Sequence, residues 1–317
     1  MTFATRDDDL RAEPVSLAPE EYARSRAAFW GGSAVLFTDA DGRVLVVEPR
    51  YREGLLLPGG GMDPGERPSR SAAREVAEEL ALVVRPSRLL VVEWVSGDHE
   101  EYAEFGCFPG ETLYVWDGGV LGPGALARIV LPPAELGAHH LLPAAEAAAR
   151  MGPLDGARML AAYRARVDAS GPAVLEDGRA TAPGVLERHG VVPGAAPAGS
   201  AATGVWAFDP QGRVLLLVDS EGRHCTLPSA HHGGLFHDIP SALPGRAGAV
   251  ARLAPGLTVP SGGPAHLLAP PAQAAALLGP GGGTRERARA AADLAADRWG
   301  LPRAAPRPVE EIAPGRG

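Results

Sequence analysis

Residues 60–82 read GGMDPGERPSRSAAREVAEELAL, and the spacing of the charges in that stretch decides how the chain around it is read. Pro68 suits the first turn of a helix, where its missing N–H costs nothing. No Gly or Pro interrupts residues 69–82. At about 100° per residue, Ala72, Ala73, Val76, Ala77 and Leu80 fall within one arc of roughly 140°. Glu75, Glu78 and Glu79 fall within about 100° on the other side, with Arg74 at the edge. One face is built to pack. The other carries three carboxylates at i, i+3 and i+4, where like charges repel, so it is either a solvated face or one matched to a cation.

The preceding loop favours the cation. Residues 56–61, LLPGGG, follow an apolar run and lead through Asp63-Pro64-Gly65 into the helix. Glycines there permit positive φ and close approach of backbone to a ligand. Carboxylates beside an open backbone loop suit Mg²⁺, a hard ion that takes oxygen ligands and keeps positions for water and phosphate.

The spacing matches G-x5-E-x7-R-E-U-x-E-E-x-G-U, with U aliphatic, at every position except the late glycine, where Ala81 stands. In this the stretch resembles the Nudix box. The resemblance implies a Nudix fold, an α/β/α sandwich around a mixed β-sheet, and metal-dependent hydrolysis of a diphosphate linkage. It implies that Glu75, Glu78 and Glu79 bind Mg²⁺, with Mn²⁺ as a substitute, and that Gly59 or Gly60 adds a backbone carbonyl. Arg74 would orient these carboxylates by salt bridges, completing the catalytic set, and Glu66 would fix the loop against the helix. The metal would polarise phosphate oxygens and help activate a water. The general base is either a box glutamate or a later carboxylate, with Glu100, Glu101, Glu104 and Glu111 as candidates.

The expected substrate is a small-molecule nucleoside diphosphate derivative. The box is equally compatible with an isoprenyl or nucleotide-sugar diphosphate of specialised metabolism. A nucleotide-sensing protein is the third reading, disfavoured because the box keeps its charges. Selectivity lies outside the motif. Trp94, Tyr102, Phe105, Phe108 and Trp116 are placed either to stack on a base or to pack in the core.

The length, 317 residues, allows two domains. A net charge of −8 argues against a general nucleic-acid partner. The absence of Lys and Asn, with abundant Ala, Gly, Pro and Arg, resembles the bias of a high-GC, actinobacterial genome. Cys107 and Cys225 imply no disulfide framework. No secretory leader or membrane-spanning run is read, so a cytoplasmic protein without a membrane partner is expected.

Residues 33–39 and 43–48, joined at Asp41-Gly42, read as a hairpin. Further strands are expected at 89–95, 112–116 and 127–131, and a helix at 153–167. The pattern then begins again. Gly42-Arg43-Val44-Leu45 recurs as Gly212-Arg213-Val214-Leu215, and Leu57-Pro58 as Leu227-Pro228, at one offset. His140-Leu141-Leu142 recurs as His266-Leu267-Leu268. Ordered recurrence of this kind predicts a duplicated domain: a catalytic copy at 1–168, an irregular Ala/Gly/Pro-rich linker at 169–203 with a short helix near 184–189, and a degenerate copy at 204–317. At the hairpin offset Glu66, Arg74, Glu75, Glu78 and Glu79 become Phe236, Pro244, Gly245, Gly248 and Ala249, so the second copy is expected to be silent. His224, Cys225, His231, His232 and His237 match no tight zinc spacing. The two copies are expected to form an intramolecular pseudo-dimer, monomeric in solution.

Overall fold

The computed structural model describes residues 18–86, 88–194, 204–219, 224–238, 240–257, 259, 264–279 and 283–313. After a short exposed helix α1 (Pro19–Arg24), the expected hairpin forms as β1 (Trp30–Thr38) and β2 (Val44–Pro49), antiparallel. Asp39 closes its turn. Asp39 Oδ1 accepts the N–H groups of Asp41 and Arg43, and Oδ2 accepts Arg43 Nε at 2.7 Å.

β3 (Gly59–Gly61) runs antiparallel to β1, and α2 (Pro68–Leu80) follows. β4 (Leu89–Val95) and β5 (Glu111–Val120) come next, then α3 (Pro123–Leu126) and β6 (Leu136–Leu142). The strands order as β6-β2-β1-β5-β4, antiparallel except for the parallel β1–β5 pair. α2 covers one face. α4 (Ala144–Ala149) and α5 (Pro153–Asp168) serve the other, which gives a mixed α/β sandwich.

Two expectations fail here. Residues 127–131 form no strand: Ile129 and Leu131 are loop anchors packed under α2, and Val130 N–H donates to Leu80 O. The strand lies further on, at β6. The linker expected at 169–203 is also partly structured. β7 (Ala173–Glu176) pairs parallel with β4, and β8 (Arg179–Ala180) folds back on β7, so both belong to the first sheet. α6 (Val185–Arg188) follows at the expected place.

The second sheet contains β9 (Val205–Phe208), β10 (Val214–Val218), β11 (Cys225–Thr226), β12 (Ser241–Ala242), β13 (Ala249–Arg252) and β14 (His266–Ala269). β11 pairs with β10, and the sheet order is β12-β13-β9-β10-β14. Within this order the neighbours are antiparallel except for the parallel pair β9–β13, the counterpart of β1–β5. α7 (Pro271–Leu278) and α8 (Thr284–Trp299) follow, and β15 (Glu310–Glu311) edges β14.

The halves share one core. Leu36, Val44 and Val46 of the first sheet and Trp206, Phe208 and Leu216 of the second lie in a single buried cluster with residues of α4, α5, α7 and α8. Buried Gln273 of α7 donates to Val167 O, Asp168 O and Arg307 O, capping the end of α5 from the second half. Among the described residues no helix is long and apolar enough to cross a membrane.

Candidate active site

The packing of α2 aims its acidic face. Ala72, Val76 and Leu80 are buried against Val35, Phe37, Leu45 and Val47, at about 1.5–3 kcal/mol for each large side chain. Ser33 Oγ donates to Pro68 O at 2.8 Å and pins the helix start to β1. The carboxylates are thereby turned toward β3. The face is only partly solvated: Glu79 is 7% exposed, whereas Glu78 is exposed.

β3 is pressed between β1 and α2, which explains the glycines at 59 and 60. Gly59 has φ +152°, and a β-carbon there would be driven into Ser33 O. A β-carbon on Gly60 would stand 2.7 Å from Glu75 Cδ. Glu79 Oε2 accepts the Gly59 N–H at 2.8 Å. Arg74 gathers the rest. Its Nη1 donates to Glu75 Oε1 at 2.8 Å and Glu78 Oε2 at 2.9 Å. Its Nη2 donates to Gly61 O at 2.8 Å and Glu66 Oε2 at 2.9 Å, and its Nε to Glu66 Oε1 at 3.2 Å. Glu66 also accepts the Asp63 N–H, so the loop is tied to the helix through it.

Burial pushes the Glu79 carboxyl up to about 7, against the lowering effect of the Gly59 N–H. Burial also raises Glu75, opposed by Arg74, whereas the Arg74 hydrogen bonds hold Glu66 low. Among the described residues no three His, Cys, Asp or Glu side chains converge on one metal position. The donor set still fits a hard divalent cation: the partly buried carboxylates of Glu75 and Glu79 stand against Gly60 and Gly59, with Glu78 exposed beside them.

The later carboxylates separate. Glu100 is exposed on a 3-10 turn at Glu100–Phe105, and the side chains of Glu104 and Phe105 lie outside the described residues. Glu101 Oε1 accepts the Leu154 N–H at the start of α5. Glu111 Oε1 lies 2.8 Å from where a β-carbon on Gly32 would be, and Gly60 O is 3.6 Å from that same point. Glu111 therefore flanks the glycine strand. Of the aromatics, Tyr102 stacks on Phe108 at 4.2 Å, Trp116 packs under α2, and Trp94, 37% exposed, meets Phe29 edge-on.

Several site residues carried no signal in the sequence. Arg158 of α5 reaches buried Glu93 through Nε and Asp155 Oδ1 through Nη1 at 2.6 Å. Asp155 Oδ2 in turn holds Arg52 Nη2 at 2.9 Å. Glu93 Oε1 accepts the Gly178 N–H from the β7–β8 turn. Only the i,i+3 spacing of Asp155 and Arg158 could have been read in advance. Glu135 is another such residue: its charge raises Glu79 and Tyr51.

Over 79 residues the chain is 38% identical to the mouse protein named diphosphoinositol polyphosphate phosphohydrolase 3-alpha, which is 24% of this chain and 48% of that one. Its human counterpart is 45% identical over 49 residues, 16% of this chain and 30% of that one. The chain thus spans about half the length, or less, of these curated relatives. Among solved structures, an ADP-ribose pyrophosphatase from Streptococcus suis is similar at 16% identity and a TM-score of 0.35, covering 47% of this chain and 99% of that one. A MutT protein from Methanosarcina mazei is similar at 18% identity and a TM-score of 0.33, covering 39% and 86%. Residues 30–163 match the family model described as the NUDIX domain, and the acidic helix and glycine strand both lie within that matched segment.

Proposed function

We propose that the first half hydrolyses a diphosphate linkage in a nucleoside diphosphate derivative, with Mg²⁺ or Mn²⁺ held by Glu75, Glu78 and Glu79 and a carbonyl of Gly59 or Gly60. The observation that carries this reading is the closeness of strand and helix: Glu79 bonds to Gly59 N–H, and Glu75 lies where a β-carbon of residue 60 would be. When bound, the cation supplies Lewis-acid polarisation of phosphate oxygens and a more acidic water. Arg74 holds Glu75 and Glu78 in place, and Glu66 keeps the loop closed on the helix. Glu79→Gln keeps the shape of the side chain and is expected to lower kcat by about 10²-fold or more. Chelation by EDTA is expected to abolish turnover. Full activity in either case, measured by mass spectrometry of products, would overturn the reading. The names of the curated relatives add diphosphoinositol polyphosphates to the substrate classes to be screened.

We further infer that the second half is a catalytically silent copy of the first. Val35 N–H donates to Pro58 O, and 170 residues on Val205 N–H donates to Pro228 O. Asp209 repeats every turn bond of Asp39. The bridge between Val47 and Leu56 recurs as the pairing of Leu217 with Thr226. The shared core supports an intramolecular pair of copies, monomeric in solution, which light scattering of the full chain would test.

A further inference from the structure

The outer face of the second sheet is covered less completely than that of the first. At matching points of the two sheets the Leu121 N–H donates to Thr38 O and the Leu253 N–H donates to Phe208 O. Beyond Leu121 the chain forms α3, and Leu126, Ile129 and Leu131 pack with Leu80 of α2 over Val35, Phe37 and Leu45. Beyond Leu253 the described residues form no helix before α7, and Ala254-Pro255-Gly256-Leu257 turns away through Gly256 at φ +65°.

The space left at the hairpin end of this sheet is a cavity of about 400 Å³, within the roughly 300–1,000 Å³ of small-molecule pockets. Protein interiors keep few voids larger than a water molecule. The lining is largely apolar: Leu253 and Leu268 are buried, and Leu257, Leu301 and Ile312 are half-buried. Ordered water requires polar partners, which these side chains do not supply.

The polar groups lie toward the rim, and those left over are donors. Arg213 Nε donates to Asp209 Oδ2 at 2.7 Å, and its Nη1 is paired with Glu310. Arg252 Nε donates to Asp238 Oδ2 at 3.2 Å. His237 Nδ1 lies 2.8 Å from Asp238 Oδ1 and 3.2 Å from Arg252 Nη2. A ring nitrogen that donates to Asp238 cannot also accept from Arg252. Each guanidinium therefore keeps N–H groups that bond nothing among the described residues. The Asp209 carboxylate, by contrast, is engaged, since its Oδ1 also accepts the N–H groups of Gln211 and Arg213.

Charge at the rim is already balanced. Asp209 and Glu310 face Arg213, and Asp238 faces Arg252. The cavity thus offers donors without surplus positive charge. An anion would meet three carboxylates there, whereas a neutral oxygen acceptor would meet only the unused N–H groups.

We propose that the second half binds a small, uncharged, apolar molecule bearing a carbonyl-type acceptor, its body in this cavity and its oxygen on the guanidiniums of Arg213 and Arg252. The site needs neither the glutamate helix nor the hydrolase reading. It is tested on the full chain with three fluorescent probes. Nile red is neutral and carries a carbonyl, diphenylhexatriene is apolar without an acceptor, and anilinonaphthalene sulfonate is an anion. Nile red is expected to saturate a single site with a Kd of about 10 μM, about tenfold tighter than either other probe. Arg252→Met is expected to weaken Nile red by about tenfold and to leave diphenylhexatriene unchanged. Leu257→Trp fills the cavity and is expected to weaken Nile red by about tenfold or more while Tm is kept or raised. Ala254→Leu fills the same space should Leu257→Trp not fold, with circular dichroism as the check. Absence of saturable Nile red binding, unchanged binding in a folded cavity-filling variant, or tighter binding of the sulfonate would overturn the proposal. So would an Arg252→Met variant that binds Nile red like the wild type.

Discussion

The two sheets share a strand order and a hairpin turn, yet their outer faces are covered by different things. In the first half Val35, Phe37 and Leu45 are covered by α2. In the second half their counterparts Val205, Ala207 and Leu215 are covered by Phe236, Leu253, Leu257 and Ile312, from loops and a strand end. Burial is non-directional, so any apolar cover satisfies a sheet face. The hairpin is different: its turn bonds are directional and recur in both halves. The fold therefore resides in the hairpin and the sheet order, and the proposed chemistry resides in the cover. A half that exchanged its cover could keep its shape while losing every carboxylate.

The sharpest way to break that contrast is to exchange the glycine strand. At the hairpin offset Gly59-Gly60 become Ser229-Ala230, which are harmless there because no glutamate helix lies against them. Gly60→Ala in the first half is expected to push Glu75 aside and cost about 10²-fold or more in kcat, because placement of a proposed metal ligand is lost. Gly59→Ser adds strain at φ +152° and is expected to cost folding as well. Product formation and thermal unfolding of each variant check both statements. Wild-type activity in Gly60→Ala would mean that the closeness of strand and helix has no catalytic meaning.

A second way is to remove the silent half. A fragment ending near Ala169 is the wrong one, because it would strip β7–β8 and with them the Gly178 N–H from buried Glu93 and the Asp177 carboxylate from Ser96. Ending at Gly194 keeps the first sheet whole. That fragment would still expose the shared apolar core, and at about 1.5–3 kcal/mol per uncovered large side chain it is expected to unfold or self-associate. Light scattering and circular dichroism decide. A monomeric fragment with the full-length Tm and activity would show that the second half has some other role.

These details also show where the sequence was legible. The helix α2 was readable because charge and apolarity alternate with helical period, and the turn at Asp41-Gly42 because it separates two apolar runs. The same kind of signal, Asp177-Gly178 after Val174-Leu175, was present in the expected linker but was masked by the surrounding Ala, Gly and Pro. β6 was hidden because Gly137, His139 and His140 dilute its apolar pattern, and residues 127–131 looked more strand-like. In the Glu93–Arg158–Asp155–Arg52 chain only Asp155 and Arg158 are near in sequence, so spacing could reveal that one link and not those to Glu93 and Arg52. The box spacing gave no sign that Glu79 is nearly buried.

A smaller effect probes the seam between the halves. Gln273→Ala removes the donor shared by Val167 O, Asp168 O and Arg307 O, and the acceptor for Arg307 N–H. Leaving such groups buried and unpaired costs about 1–3 kcal/mol each before relaxation. A loss of a few kcal/mol in chemical denaturation is expected, with one cooperative transition if the halves fold as a unit. Two separated transitions would instead mean that the seam is weak.

The smallest effect concerns how the helices end. α8 of the second half ends on Gly300 in the left-handed region, at φ 65° and ψ 23°. Its counterpart α5 ends on Ala169, at φ 55° and ψ 19°, and α2 ends on Ala81, at φ 55° and ψ 28°. The left-handed conformation brings Cβ against the following carbonyl and costs a non-glycine residue about 1–2 kcal/mol. Glycine escapes that strain but loses more freedom on folding, so part of the gain is returned. Ala81→Gly and Ala169→Gly are therefore each expected to stabilise by about 0.5–1 kcal/mol. Ala81→Gly also restores the one box position that departs from the Nudix pattern, and since the Ala81 N–H bond to Ala77 O is a backbone bond that glycine keeps, kcat is expected to be unchanged. A rise in Tm without a change in kcat would show that this alanine only strains the helix end. A fall in kcat would show that the strain helps to hold Glu78 and Glu79 in register with the glycine strand.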